Sequence, residues 1–179
     1  MDTMTRRDDL YALAAKTLAR LLYPVAHLSA PGRARHVACQ WALAVRYPRE
    51  SLAGLTPAAH HAFTTARTEA FWRDGVLIGL TSGYRDAAEQ HRIYVADQDK
   101  PGLPRALPPA ESPHVRGLAM DVRPREGARW LEEHGSRHHL YRTYDNEWWH
   151  FELHPTRPIR LPYPGARIAS TVRTRGGTS

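Results

Sequence analysis

The stretch from Thr56 to Thr81 restricts the possible folds more than any other part of the chain. Thr56 carries the hydroxyl of a helix N-cap, Pro57 suits the first helical position, and Gly75 suits a left-handed stop. Between them Ala59, Phe63, Ala66 and Ala70 recur at helical spacing and line one face. Val76-Leu77-Ile78-Gly79-Leu80-Thr81 follows at once. That run is too short for a helix and apolar enough for a buried strand. A helix with one apolar face feeding directly into a buried strand calls for a sheet with helices laid on it.

The remaining segments fit this scheme. Residues 8 to 23 read as a helix with a broad apolar face formed by Leu10, Leu13, Ala14, Leu18, Leu21 and Leu22. A second helix is predicted from Pro31 to Val45, followed by a connection over Tyr47 to Ser51. Ser82-Gly83-Tyr84-Arg85 is a turn, and Asp86 with Glu89 forms a capping box that opens a helix to Ala96. Residues 97 to 113 carry five prolines and predict a long loop of the kind used as a lid or binding loop. A strand over Gly117 to Val122, a helix over Glu126 to His138, and a turn with a final strand within Arg142 to Leu153 complete the pattern. The class is α+β, with a small, mainly antiparallel sheet and extra N-terminal helices. The expected division is a helical extension over 1–54, a core over 55–155 and an irregular, fraying tail over 156–179.

Composition sets the outer limits. A chain of 179 residues with 42% hydrophobic and 24% charged residues has material for one folded domain plus an appended segment. No run approaches the ~18 apolar residues of a membrane span. The N-terminal segment carries charges of both signs, and Lys16 and Arg20 interrupt the apolar run after it, so it does not read as a signal peptide. The single Cys39 excludes an intrachain disulfide, and its neighbours predict a packed, inert thiol. The formal charge is +7, and all basic residues except Lys16 and Lys100 are arginine. Such a charge favours anionic partners, nucleic acid and anionic envelope polymers alike, and does not choose between them. Nucleic acid rests on charge alone and is not expected.

Three pieces carry chemistry. In Ser112-Pro113-His114-Val115-Arg116-Gly117-Leu118-Ala119-Met120-Asp121 the His lies in a loop and the Asp on a strand. Asp121 stands between Met120 and Val122, where a carboxylate needs a partner, and a metal is a strong one. In Glu147-Trp148-Trp149-His150 the odd spacing would put Glu147 and His150 on opposite faces of a regular strand, so a bulge or turn is expected there. Two imidazoles and a carboxylate form a catalytic zinc set with the fourth position left to water. Glu147 is then the base, its pKa raised by burial beside Trp148 and Trp149. In Ser82-Gly83-Tyr84-Arg85 the Arg ends a buried strand, placed to hold a developing oxyanion or a substrate carboxylate.

In this order the three pieces resemble the zinc peptidases of the VanY-type D-Ala-D-Ala carboxypeptidase and phage L-alanyl-D-glutamate endopeptidase family. That family shows Ser-Gly-Tyr-Arg, Ser-x-His-x-x-Gly-x-Ala-x-Asp and Glu-x-Trp-His, here Ser82 to Arg85, Ser112 to Asp121 and Glu147 to His150. Gln90 matches a Gln common after the Arg turn. The resemblance implies one zinc per chain on His114, Asp121 and His150, Glu147 as base, and Arg85 as oxyanion or substrate clamp. It implies peptidoglycan stem peptides as substrate and action at the bacterial wall or periplasm. Ser112 is a loop cap or substrate contact. The expected activity is D-alanyl-D-alanine carboxypeptidase, with the endopeptidase as the alternative and a non-catalytic wall-binding module as a distant one. Two features depart from the family. Glu147 follows Asp121 by only 26 positions, and the first 50 residues match nothing in it. The Pro-rich loop, with Lys100 and Arg105, is placed to close a carboxypeptidase pocket. The doublets His60-His61 and His138-His139 lack a matching carboxylate and read as solvated helix faces.

Overall fold

The structure is a computed structural model that describes residues 6–166, so residues 1–5 and the last part of the expected tail, 167–179, lie outside the described residues. Five helices and four strands follow one another as α1 (Arg6–Ser29), α2 (Ala34–Arg46), α3 (Pro57–Glu69), β1 (Gly79–Ser82), α4 (Ala87–Gln98), β2 (Ala119–Arg123), α5 (Arg125–His134), β3 (Leu140–Arg142) and β4 (His150–Leu153). The strands form one antiparallel sheet in the order β1-β2-β4-β3. Among the described residues no helix is long and apolar enough to cross a membrane.

The opening helix and strand behave as their sequence requires. The Thr56 hydroxyl accepts from the Ala59 N–H at 3.2 Å, Pro57 begins α3, and Ala59, Phe63, Ala66 and Ala70 are fully buried on the sheet. The last turn, Ala70–Asp74, widens to a π turn, and Gly75 leaves it with φ 76°. The main core gathers these residues with Leu55, Ile78, Leu80, Met120, Val122, Trp130, Leu131, Leu140 and Phe151. Gly117 has φ 67°, and a Cβ there would meet the Gly54 carbonyl oxygen at 2.4 Å. Only glycine fits this crossing, where the Thr56 N–H also donates to the Gly117 carbonyl. β3 was not expected as a strand; three residues carry too little pattern to be read.

The N-terminal helices correct one expectation. Leu10, Leu13 and Leu21, assigned to the buried face of α1, are exposed, while Ala15, Ala19 and Ala26 are buried. They pack with Ala34, Ala38, Cys39, Ala42 and Leu43 of α2. The cause is steric: alanines facing alanines bring the two backbones close, and leucines at that seam would hold them apart. α1 also runs past Pro24 to Ser29 rather than ending before it. Cys39 is buried in this second cluster, and burial pushes its thiol up to about 12.

The segment from α2 to Glu50 meets the core through polar as well as apolar contacts. Arg67 of α3 donates to Gln40 of α2 at 2.6 Å and pairs with Glu50, both partners of that ion pair being buried. The other Glu50 oxygen accepts the Leu80 N–H at 2.7 Å, which occupies the open edge of β1. Among the described residues after Pro155 there is no helix or strand, but the backbone there is tied to the turn after β3. Leu161 donates to Thr143 at 2.8 Å and accepts from the Asp145 N–H at 2.9 Å.

Candidate metal centre

The site grows from the register of the two central strands. Asp121 of β2 lies directly opposite His150 of β4, and Ser82 of β1 lies on the other side of Asp121 after a bulge. Across this ladder the Asp121 Oδ1 and His150 Nδ1 are 3.0 Å apart. The turn before β2 brings in His114, whose Nε2 is 3.3 Å from both atoms. Three buried donor atoms thus form a triangle with edges of 3.0 to 3.3 Å. Ligand atoms about 2.0–2.1 Å from a tetrahedral zinc lie about 3.3 Å apart, so the donor set fits that ion.

Neighbouring acceptors fix both imidazoles for ligation. His114 Nδ1 is 2.6 Å from the Gly83 carbonyl oxygen, which can only accept. That nitrogen therefore carries the proton and Nε2 presents its lone pair to the triangle. His150 Nε2 is 3.0 Å from Glu152 Oε1, which leaves Nδ1 for the triangle. Glu152 is buried and also accepts from Thr143 and His154, both at 2.8 Å. Burial would raise its pKa, but these donors, His150 first, hold it well below the usual carboxylate range. The Asp121 carboxyl is likewise held low against its burial by the two imidazoles. Burial would lower the His150 pKa, yet Asp121 and Glu152 raise it well above normal. The sequence reading missed Glu152. The only hint was its position two residues beyond His150, on the same side of β4.

Glu147 sits in the expected turn, with its carbonyl accepting the His150 N–H at 3.3 Å. Its carboxylate is 3.9 Å from His150 Nδ1. Burial pushes the carboxyl up to about 7, with Asp121 adding and His150, Arg85 and Arg105 opposing. The two tryptophans separate. Trp149 lines the cavity, while Trp148 packs against the main core. Tyr84 is half exposed and covers Gly54.

Arg85, Ser112, His114, Asp121, Glu147 and His150 all line one cavity of about 140 Å³, joined by Arg105, Tyr144 and Trp149. Arg85 is more occupied than the sequence suggested. Its Nη2 pairs with Asp121 Oδ2, its Nε donates to Ser82 at 2.8 Å and its Nη1 to Gln90 at 3.2 Å. His60 and His61 are exposed on α3, away from this cavity. His138 is not solvated as expected: it pairs with Glu69 at 2.7 Å and stacks near Trp130. Between Asp121 and Glu147 the short span holds only α5, the 3-10 turn Gly135–His138 and β3.

A family model described as D-alanyl-D-alanine carboxypeptidase, VanY, matches residues 53–156. The chain belongs to the VanY family. All six residues singled out in the sequence fall within the matched span. Two solved structures are similar. One is a point variant of the vancomycin-resistance D,D-pentapeptidase VanY from a VanB-type resistance cassette, in complex with Zn(II). It is 24% identical with a TM-score of 0.49, the match covering 59% of this chain and 76% of that one. The other is VanYB in complex with D-alanine-D-alanine, 24% identical with a TM-score of 0.48, over 55% of this chain and 71% of that one. A comparison with curated proteins returned no match. The fold of the chain, an antiparallel sheet with helices packed on it, is the α+β class expected from the sequence.

Proposed function

We propose that this VanY-family chain is a zinc-dependent D-alanyl-D-alanine carboxypeptidase acting on peptidoglycan stem peptides, with His114, Asp121 and His150 holding one zinc. The observation that carries the assignment is the buried donor triangle with a raised carboxyl, Glu147, beside it in the same cavity. Zinc, when bound there, polarises the scissile carbonyl and makes the attacking water more acidic. Glu147 accepts the water proton at its carboxylate and passes it to the amine of the leaving D-alanine. A carboxyl lifted toward neutrality by burial suits both transfers, since it takes and releases a proton with little bias.

The other side chains position and polarise. Gly83 and Glu152 keep the imidazoles in their ligating tautomers. Arg85 steadies the outer oxygen of Asp121 and places its positive charge on the cavity wall, where the carbonyl oxygen gains negative charge. Ser112 and Trp149 shape the cavity against the peptide. The place of action is the cell wall.

Two measurements test this reading. Metal analysis of purified protein should give one zinc per chain, lost in His114→Ala, Asp121→Ala and His150→Ala but kept when His60 and His61 are both changed to alanine. Mass analysis of muropeptides should show pentapeptides losing one terminal D-alanine. Intact pentapeptide termini with cleavage after L-alanine would mean an endopeptidase instead, and full zinc in all three ligand variants would end the metal assignment.

A further inference from the structure

A carboxypeptidase must recognise a free terminal carboxylate, and the cavity carries two candidate cations, Arg85 and Arg105. Arg85 has all three nitrogens engaged, with Ser82, Gln90 and Asp121. Its fork is committed to the protein. The Arg105 guanidinium makes no ion pair or hydrogen bond among the described residues, yet it lines the cavity with the metal ligands and Glu147. Lys100, the other cation of the Pro-rich loop, is exposed and does not line the cavity.

The backbone beneath Arg105 is built rather than loose. Asp97 Oδ2 accepts the Arg105 N–H at 2.7 Å and the Ala106 N–H at 3.1 Å. Asn146, next to Glu147, donates to the Pro104 carbonyl at 3.1 Å, and Gln90 donates to the Leu107 carbonyl at 2.8 Å. Four consecutive residues, 104 to 107, are thus held by two side chains of α4, Gln90 and Asp97, and by Asn146 of the catalytic turn. Gln90 is buried, and its oxygen takes the Arg85 contact while its nitrogen holds the loop. Arg105 is also exposed, but its pinned backbone fixes where the guanidinium can reach, and that reach includes the cavity.

We infer that Arg105 receives the free carboxylate of the substrate's terminal D-alanine and thereby sets the preference for exopeptidase cleavage. A planar, always charged fork with free N–H groups matches a carboxylate in two-point contact. The inference rests on the carboxypeptidase reading given above. It goes beyond that reading by giving the recognition of the chain end to the loop rather than to the Ser-Gly-Tyr-Arg turn.

The test uses the zinc-loaded full chain and two peptides ending in D-Ala-D-Ala, one with a free terminal carboxylate and one with a terminal amide. The wild type should prefer the free acid. Arg105→Ala should lower the ratio of kcat/KM for acid over amide by about 10- to 100-fold, mainly through KM, since a charge-assisted hydrogen bond of that kind has this worth. Arg105→Lys should recover part of the preference. The four anchors are backbone contacts, so both variants should keep the wild-type circular dichroism and zinc content. An unchanged ratio in Arg105→Ala, or a wild type that cleaves acid and amide equally well, overturns the role of Arg105 while leaving the peptidase standing. A wild type that cleaves neither peptide sinks the carboxypeptidase reading itself, and Arg105's role with it.

Discussion

Glu152 offers the most searching test of how the site works, because it never touches the proposed metal position. Its Oε1 lies 3.0 Å from His150 Nε2 and 2.8 Å from the Thr143 hydroxyl, and its Oε2 lies 2.8 Å from His154. Glu152→Ala removes the acceptor that fixes the His150 tautomer and the negative charge that makes its Nδ1 a stronger donor. Losing such an outer partner costs roughly 10- to 100-fold in metal affinity, or about 1.4 to 2.7 kcal/mol. Glu152→Gln keeps an acceptor oxygen but not the charge, so its loss should be the smaller of the two. The alanine variant also strands the buried Thr143 and His150 donors, and each costs about 1 to 3 kcal/mol of stability. Zinc affinity must therefore be read well below the melting temperature, by competition with a chelator of known affinity, with circular dichroism showing the protein folded. A folded Glu152→Ala protein that binds zinc within twofold of the wild type would refute the argument.

Other expectations follow from the same contacts. Glu147→Gln should keep zinc and fold but lower turnover by about 10² to 10⁴-fold, as measured by D-alanine release; near wild-type turnover would require another base. Glu50→Ala leaves Arg67 buried without its ion-pair partner and frees the Leu80 N–H, so urea unfolding should show a loss of about 3 to 5 kcal/mol. A loss below about 1 kcal/mol would mean that the N-terminal helices are not fastened there. Burial keeps the Cys39 thiol protonated in the fold, with its pKa pushed up to about 12. The stability this contributes is present below the unfolded thiol pKa and is lost as pH rises above it. A disulfide reagent at pH 8 should label the urea-unfolded chain quickly and the native one slowly, and equal rates would show that the α1–α2 seam opens freely.

What could be read from the sequence follows from where the information lies. His114, Asp121, Glu147 and His150 were legible because scarce, chemically loaded residues stand in short fixed spacings, and the turn at Glu147 was required by the odd interval to His150. The α3 cap and stop were legible because Thr56, Pro57 and Gly75 each act on their own local backbone. Glu152 was not, because its burial depends on partners from elsewhere in the chain. Thr143 and His154 converge on it only when β3 and β4 pair. The buried face of α1 was misread for a related reason. That helix is apolar nearly all round, and only the alanines of α2 decide which side is covered. Arg85 was read as an oxyanion or substrate clamp, and no spacing reveals that Asp121 would turn an oxygen toward it.

The direct opposition of Asp121 and His150 on neighbouring strands makes the sheet a caliper. Its two jaws are backbones locked at the fixed separation of hydrogen-bonded strands, about 4.7 to 4.9 Å. A slip of one residue would turn one jaw to the far side, so the gap is either right or absent. The chain that joins the jaws, α5 and β3, lies outside this measurement. It can be lengthened, shortened or exchanged without altering the gap, provided that the pairing of β2 with β4 survives. The walls around the substrate are thereby free to vary while the gauge beneath them stays the same.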